Sequence, residues 1–309
     1  MNRKDKKQAY LAALMNALII GFSFLFVKLA LTVSNPLDTL AHRFTASFIA
    51  ATIPVLFGWI KIKISMKDLR RILPLALLYP ALFFALQAYG LLYTTSSEAG
   101  IIQAMAPIFT MILATYFLQE KSTYWQKLSV LLSVGGVILI IIMKGASFQS
   151  VSLLGPILIL LSALAISGYN VLARPLTKQF HVMELTYVMI TIGFLVFNGI
   201  SIVQHVMNGS IQLYFQPLTS PIFLISILYL GILSSLVTAL LATYALSKIE
   251  ATKMSVFGNL ATLLSMVAGV IFLDETLSYY HLIGAVMIIL GVLGTNLLDQ
   301  KAYKKVVKL

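Results

Sequence analysis

Ten stretches of about 20 predominantly apolar residues follow one another along this chain, with only short connectors between them. A bilayer core about 30 Å thick needs about 20 apolar residues per helix, so each stretch predicts a helix that crosses a membrane. The predicted spans, numbered 1 to 10 in chain order, are 10–31, 39–60, 72–93, 99–119, 125–143, 153–173, 185–207, 222–247, 251–273 and 280–298. The longest connectors, 145–152 and 208–221, are too short to fold as soluble domains, so any function is expected between helices.

Composition and charge agree with a polytopic, all-α membrane protein. Hydrophobic residues make up 60% of the chain and charged residues 10%, whereas soluble proteins have about 45–50% and about 25%. With the amino terminus in the cytoplasm, 19 of the 22 Lys and Arg residues fall in cytoplasmic segments. Both termini are therefore predicted to be cytoplasmic, and Lys28 and Arg43 are the basic residues left inside spans.

The two halves of the chain repeat each other. At an offset of 155 residues Tyr89 aligns with Tyr244 and Glu120 with Glu275, and near the start of each half the offset is 146. We therefore expect two five-helix repeats, 1–147 and 148–309. Five is odd, so the second copy enters the membrane from the opposite side, an inverted arrangement that recurs in alternating-access carriers. A symmetric inert bundle and a channel with two gates are the alternatives.

The motifs at the ends of spans 4 and 9 also carry a family resemblance. They are Pro107, Phe117-Leu118-Gln119-Glu120 and Gly136-Val137, echoed by Phe272-Leu273-Asp274-Glu275 and Gly291-Val292. With these motifs the chain resembles the drug/metabolite transporter superfamily, specifically its EamA-like carriers. The resemblance implies ten helices in two repeats and the export or exchange of small metabolites. One departure is that Gly21-Phe22-Ser23 stands where such carriers commonly have a tryptophan.

Charged residues inside spans are costly, so Lys28 and Arg43 are candidates for substrate binding. Both are expected near the outer ends of their helices, where they could hold a carboxylate or phosphate. Lys28 could instead extend its ammonium group to the interface, and Arg43 could pair with Asp38 or Glu98.

Neutral polar residues inside apolar helices are expected to face the bundle interior or a wet cavity. Tyr79 and Gln87 share one face of span 3, beside Pro80. The other members of this predicted substrate-binding ring are Gln103, Tyr169, Asn170, Tyr244 and Asn259. Each of them could equally hydrogen-bond a neighbouring helix. As a set, they suit a small amphipathic solute.

Three glutamates are predicted to have structural or gating roles at helix ends. Glu98 follows Thr95 in a capping box, although it could also couple transport to protons. Glu120 and Glu275 close spans 4 and 9 at opposite membrane faces.

Enzymatic chemistry has little support in the sequence. There is no cysteine, the four histidines lack metal-ligand spacing, and we find neither a nucleophile elbow nor a P-loop. We therefore predict no enzyme activity, no metal and no cofactor. The basic connectors lack an aromatic-basic motif, which predicts no nucleic-acid partner.

The predicted function is transport of a small metabolite, such as an amino acid or organic acid, by export or exchange through a central cavity. The expected location is the inner membrane of a prokaryotic cell, with the lipid bilayer as a partner. A membrane enzyme, a lipid-interaction protein or a channel remain alternatives, and the oligomeric state is open between monomer and homodimer.

Overall fold

A computed structural model describes residues 3–58, 62, 64–117, 124–147, 153–177, 179–249, 254 and 257–306. This part of the chain is mostly helical and contains no strand. Its first helices are α1 (Arg3–Leu31), α2 (Pro36–Leu56), α3 (Met66–Ala76), α4 (Phe83–Gly90), α5 (Ser96–Gln103), α6 (Ala106–Phe117) and α7 (Tyr124–Ser147). The next are α8 (Leu154–Leu176), α9 (Val182–Met207), α10 (Ile211–Phe215), α11 (Pro221–Leu228), α12 (Thr238–Lys248), α13 (Gly258–Leu273) and α14 (Tyr279–Val306). π-helical turns join α3 to α4 (Leu77–Leu82) and α11 to α12 (Tyr229–Val237), and a 3₁₀ turn, Gln216–Thr219, follows α10.

Six helical segments among the described residues are long and apolar enough to cross a membrane. They are Lys7–Leu31, Met66–Gly90, Ser96–Phe117, Leu154–Ala173, Val182–Met207 and Pro221–Lys248. The remaining four predicted spans coincide with α2, α7, α13 and α14, the last three of which contain shorter apolar helices. The all-helical, multi-span class is therefore confirmed, whereas the count of ten spans and the cytoplasmic termini remain predictions.

Short polar residues start several of these helices. Asn35 caps α2 by accepting a hydrogen bond from the backbone N–H of Asp38, and Pro36 follows at the first helical position, where its missing N–H costs nothing. Thr95 caps α5 in the same way through the backbone N–H of Glu98. These caps set where the chain turns back toward the membrane.

Two prolines interrupt helices next to the centre of the molecule. A proline ring clashes with the carbonyl four residues earlier and offers no N–H, so α3 ends at Ala76, before Pro80, and α5 ends at Gln103, before Pro107. Tyr79 consequently leaves the helical backbone conformation, with φ −141° and ψ 116°. Tyr79 lies in the first interruption, and Gln103 is the last residue before the second.

The helices pack in pairs that recur between the two halves. α1 packs against α12 and α13, while α8 packs against α4, α5 and α6. α7 packs along α14, where a Cβ on Gly136 would lie 2.7 Å from the Gly284 carbonyl oxygen and one on Gly291 2.4 Å from the Ser129 carbonyl oxygen. These two close approaches are counterparts at the 155-residue offset.

Candidate functional site

A cavity lies among α1, the α3–α4 and α11–α12 segments, α5, α6, α8 and α13. It contains about 910 Å³ of empty space, including the part that opens to the surroundings. Both predicted repeats contribute to its wall. Its size is in the range of about 300–1,000 Å³ that is usual for small-molecule sites.

The cavity wall combines aromatic rings with neutral polar groups. The aromatic residues are Phe24, Tyr79, Phe83, Phe84 and Tyr169. The polar residues of the first half are Asn16, Ser23, Gln87 and Gln103. Those of the second half are Asn170, Ser234, Thr238 and Thr262. Among the wall residues that the structure describes, none is Asp, Glu, Lys, Arg or His, so solute contacts there are hydrogen bonds and apolar packing.

The break at Tyr79 builds the aromatic side of the cavity. The Tyr79 ring centroid lies 4.9 Å from that of Tyr169 and 5.1 Å from that of Phe84. Tyr169 is buried, and its hydroxyl lies 3.4 Å from the Thr243 hydroxyl. The rings therefore hold one another in place from two different helical segments, which makes this side of the wall well ordered.

Side-chain amides from three helices occupy the polar side. Gln103 is the last residue of α5, and its carbonyl oxygen accepts a hydrogen bond of 3.4 Å from the Ser162 hydroxyl on α8. Gln87 on α4 and Asn170 on α8 are both buried at the wall. An amide can donate and accept at once, so this side can bind either kind of polar group.

Arg43 lies directly behind the wall rather than in it. Its side chain is 1% exposed, and its Nε donates to the Ser235 hydroxyl at 2.7 Å. Its terminal nitrogen donates to the Ser234 hydroxyl at 3.1 Å and to the Ser234 carbonyl at 3.3 Å. The guanidinium carbon also lies 3.9 Å from the centroid of the Phe84 ring. Ser234 and Phe84 thus separate a buried positive charge from the cavity.

Neither carboxylate suggested by the sequence as a partner of Arg43 pairs with it. Asp38 accepts hydrogen bonds from Asn35 and Ser201, and its carboxylate lies 2.9 Å from Nε2 of His205. Glu98 is bonded to the Thr94 hydroxyl. In the described ranges, no carboxylate lies within ion-pair distance of Arg43. Hydroxyl and carbonyl dipoles and the face of the Phe84 ring surround it instead.

Three of the predicted substrate-binding residues are not among the described wall residues. Lys28 is half-buried near the end of α1, and the Tyr244 hydroxyl donates to the Gln8 amide oxygen at 3.3 Å. Asn259 is in the first turn of α13, and its side chain lies outside the described residues. The structure therefore brings together Tyr79, Gln87, Gln103, Tyr169 and Asn170, with Arg43 behind them.

Glu98 and Glu275, two of the three glutamates predicted at helix ends, do not line the cavity. Glu275 accepts hydrogen bonds from the backbone N–H groups of Ser96 (2.6 Å) and Ser97 (2.8 Å) at the start of α5. Glu98 is buried in the same first turn. Glu120 lies outside the described residues. Glu275 thus joins the end of α13 to the start of α5.

Five polar wall residues escaped the sequence analysis: Asn16, Ser23, Ser234, Thr238 and Thr262. Asn16 offered a usable signal, because it is a lone amide in an apolar helix, four residues from Ile20 and eight from Phe24 on the same face. Ser234, Thr238 and Thr262 offered none, since Ser and Thr inside membrane helices commonly bond to their own backbone. Thr238 does so here, donating to the Ser234 carbonyl at 2.6 Å.

The described residues contain no group of three or more His, Cys, Asp or Glu side chains placed to hold a metal ion.

Comparisons with known proteins place this arrangement among transporters. The sequence model of the EamA-like transporter family matches residues 7–142 and 153–297. The uncharacterized transporter YcxC of Bacillus subtilis is 53% identical over 305 residues, covering 99% of this chain and 98% of that protein. An uncharacterized transporter of Archaeoglobus fulgidus is 26% identical, covering 88% of this chain and 92% of its own.

The fold is similar to that of a solved crystal structure. That protein superposes with a TM-score of 0.65 at 16% identity, covering 95% of this chain and 98% of its own. At this identity the similarity concerns the fold alone.

Proposed function

The chain belongs to the EamA-like transporter family, and we propose that it carries a small amphipathic solute bearing an anionic group through the described cavity by alternating access. The proposed solute classes are organic acids and amino acids. The cavity also defines the proposed contacts: Tyr79, Gln87, Gln103, Tyr169 and Asn170 touch the solute, and Arg43 attracts its negative charge. For Lys28, Tyr244 and Asn259 we propose contact in another conformation of the cycle.

The observation that carries this proposal is the position of Arg43 relative to the wall. Burying a guanidinium without a carboxylate is costly, because hydroxyl and carbonyl dipoles replace water only in part. An anion that enters the cavity meets this charge through a single layer formed by Ser234 and Phe84. A neutral wall adjoining an uncompensated cation favours a solute with one anionic group and an apolar or aromatic body.

Alternating access is supported by the internal repetition. The two stretches that match the family are separated by 146 residues at their starts and by 155 at their ends, the same offsets that align the sequence with itself. The close approaches of Gly136 and Gly291 across α7 and α14 recur at the second offset. We therefore propose that 1–147 and 148–309 are inverted repeats that exchange conformations around the cavity.

Export or exchange across the cytoplasmic membrane of a prokaryotic cell is the proposed role. Relatives in a bacterium and an archaeon support this location. Cytoplasmic termini follow from the distribution of Lys and Arg.

Counterflow in liposomes tests the proposal. Purified protein is assayed with amino acids, organic acids and hydrophobic cations, and we expect saturable counterflow of an anionic or zwitterionic solute. Gln103→Ala should reduce it about tenfold, because a buried amide contact is lost. Gln204→Ala, on an exposed face of α9, is the matched control and should leave it unchanged.

Three outcomes contradict the proposal. Flux that does not saturate, or single-channel current, would indicate a channel. Turnover of a lipid without counterflow of any solute would indicate a membrane enzyme. Saturable transport restricted to cations would remove the assigned role of Arg43.

A further inference from the structure

Asn16 has a buried polar atom that the protein does not satisfy. The side chain is 7% exposed and lines the cavity from α1, and its amide oxygen has no hydrogen-bond partner among the described residues. An unsatisfied buried acceptor costs about 1–3 kcal/mol, so native structures rarely retain one without another use.

The internal repeat shows a contact that Asn16 lacks. At the 146-residue offset the counterpart of Asn16 is Ser162, and at the 155-residue offset the counterpart of Gln103 is Gly258. Ser162 of the second half donates to the Gln103 amide oxygen of the first half. The equivalent contact would join Asn16 of the first half to residue 258 of the second, which is a glycine and has no side chain to offer.

The space beside Gly258 is open. Gly258 also lines the cavity, and a Cβ added to it would meet no heavy atom within 4 Å. α1 packs against α13, so the polar group on one helix and the missing side chain on the other belong to the same helix pair. The repeat is thus broken at one point of the wall, where an acceptor faces a cavity instead of a protein donor.

We propose that Asn16 is a substrate-binding residue whose amide oxygen accepts a hydrogen bond from an N–H or O–H group of the solute, which occupies the space that a side chain at position 258 would fill. This inference rests on the proposed transport function and extends it. The solute then has two recognised ends, an anionic group near Arg43 and a hydrogen-bond donor at Asn16. Asn16 determines specificity for the donor.

Matched pairs of solutes test the role of Asn16. L-phenylalanine is compared with 3-phenylpropanoate, and mandelate with phenylacetate, because the members of each pair differ in an ammonium or hydroxyl donor, and the second pair keeps the net charge constant. If the counterflow panel identifies another solute, that solute is compared with its derivative methylated at the donor. We expect wild-type protein to half-saturate at a concentration about tenfold lower for the donor-bearing member.

Three variants distinguish binding from a structural role. Asn16→Leu should abolish the preference while the Tm in detergent stays equal or rises, because an apolar side chain of similar volume removes an unsatisfied acceptor. Asn16→Asp keeps an acceptor and should retain the preference for L-phenylalanine. Asn208→Leu, at an exposed position after α9, should change neither preference nor Tm.

Position 258 provides a second route to the same site. Gly258→Gln should place an amide beside Asn16, as Gln103 lies beside Ser162, and should abolish counterflow of donor-bearing solutes. Gly199→Gln, at an exposed glycine of α9 where an added Cβ likewise meets no heavy atom within 4 Å, is the matched control and should retain counterflow.

The inference is overturned if wild-type protein shows no donor preference, if the preference survives Asn16→Leu, or if that variant lowers the Tm by several degrees. Gly258→Gln with undiminished counterflow also overturns it. Saturable counterflow accompanies each of these results, which separates them from a failure of the proposed function, where wild-type protein moves no solute at all.

Discussion

At the scale of single residues, Arg43 sets the electrostatic character of the cavity. Its nitrogens are held by two adjacent serines, Ser234 and Ser235, which sit in the π-helical turn between α11 and α12. A π-helical turn frees backbone carbonyls that an α-helix would use, and the Ser234 carbonyl accepts from both Arg43 and Thr238. The turn therefore supplies hydroxyl and carbonyl oxygens that accept hydrogen bonds from the guanidinium group, but no negative charge.

We predict that Arg43→Met reduces counterflow of anionic solutes at least about tenfold and has a much smaller effect on neutral ones. The physical reason is that the charge attracting the anion is removed while an apolar chain of similar length remains. Counterflow of anionic solutes by Arg43→Lys should be lower than in wild type and higher than in Arg43→Met, because an ammonium group keeps the charge but cannot reproduce the guanidinium geometry. Half-saturation concentrations from counterflow check this order.

Arg70→Gln is the matched control for Arg43, because Arg70 is exposed near the start of α3. It should leave transport unchanged. An equal loss for anionic and neutral solutes in Arg43→Met would contradict an electrostatic role and would indicate that the side chain only positions Ser234 and Phe84.

At the scale of helices, contacts between the halves fix where α5 begins. Three backbone N–H groups in its first turn, which have no acceptor within the helix, donate to side chains. The N–H of Glu98 donates to the Thr95 hydroxyl, and those of Ser96 and Ser97 donate to the Glu275 carboxylate. A carboxylate at a helix amino terminus is favourable because the helix dipole is positive there. Since Gln103 ends the same helix, Glu275 indirectly positions a cavity residue.

We predict that Glu275→Leu lowers the free energy of unfolding by about 1–2 kcal/mol, because two N–H groups at the start of α5 lose their acceptor. Glu275→Gln keeps a carbonyl acceptor and should lose less, since only the charge is removed. Thermal unfolding of the purified protein in detergent measures both. If the two variants unfold at the wild-type Tm, the contact does not stabilise α5.

At the scale of the whole molecule, the predicted five spans per repeat would determine which connectors share a membrane face. The chain has no cysteine, so single cysteines can report sidedness without background labelling. We predict that Lys67→Cys, before the third predicted span, reacts with an impermeant maleimide only from the cytoplasmic side. Asn208→Cys, after the seventh, should react only from outside.

Both chosen positions are exposed, which makes an unreactive result informative. Labelling of both cysteines from one face would contradict the alternating topology and with it the inverted repeat. A functional counterflow assay of each variant is the control for correct insertion.

The sequence predicts where the helices lie along the chain better than which side of each helix lines the cavity. Apolar length was sufficient to anticipate an all-helical chain with several candidate spans, because it depends on local composition. The cavity depends on which side of each helix meets its neighbours, and here Lys28 attracted attention by its charge while Asn16, on the same helix, lines the wall. The π-helical turn at Tyr229–Val237 contains no proline and offered no signal.

The uncompensated charge of Arg43 has a consequence for energetics in a living membrane. If the proposed anionic solute binds beside it, the loaded carrier is locally neutral, whereas the empty carrier keeps the positive charge of Arg43. Moving one elementary charge across 100 mV involves about 2.3 kcal/mol, so any displacement of Arg43 through the field makes the return of the empty carrier the voltage-sensitive half of the cycle. In net transport, the resting potential would then act on the rate of return, while exchange of one loaded form for another would proceed almost independently of voltage.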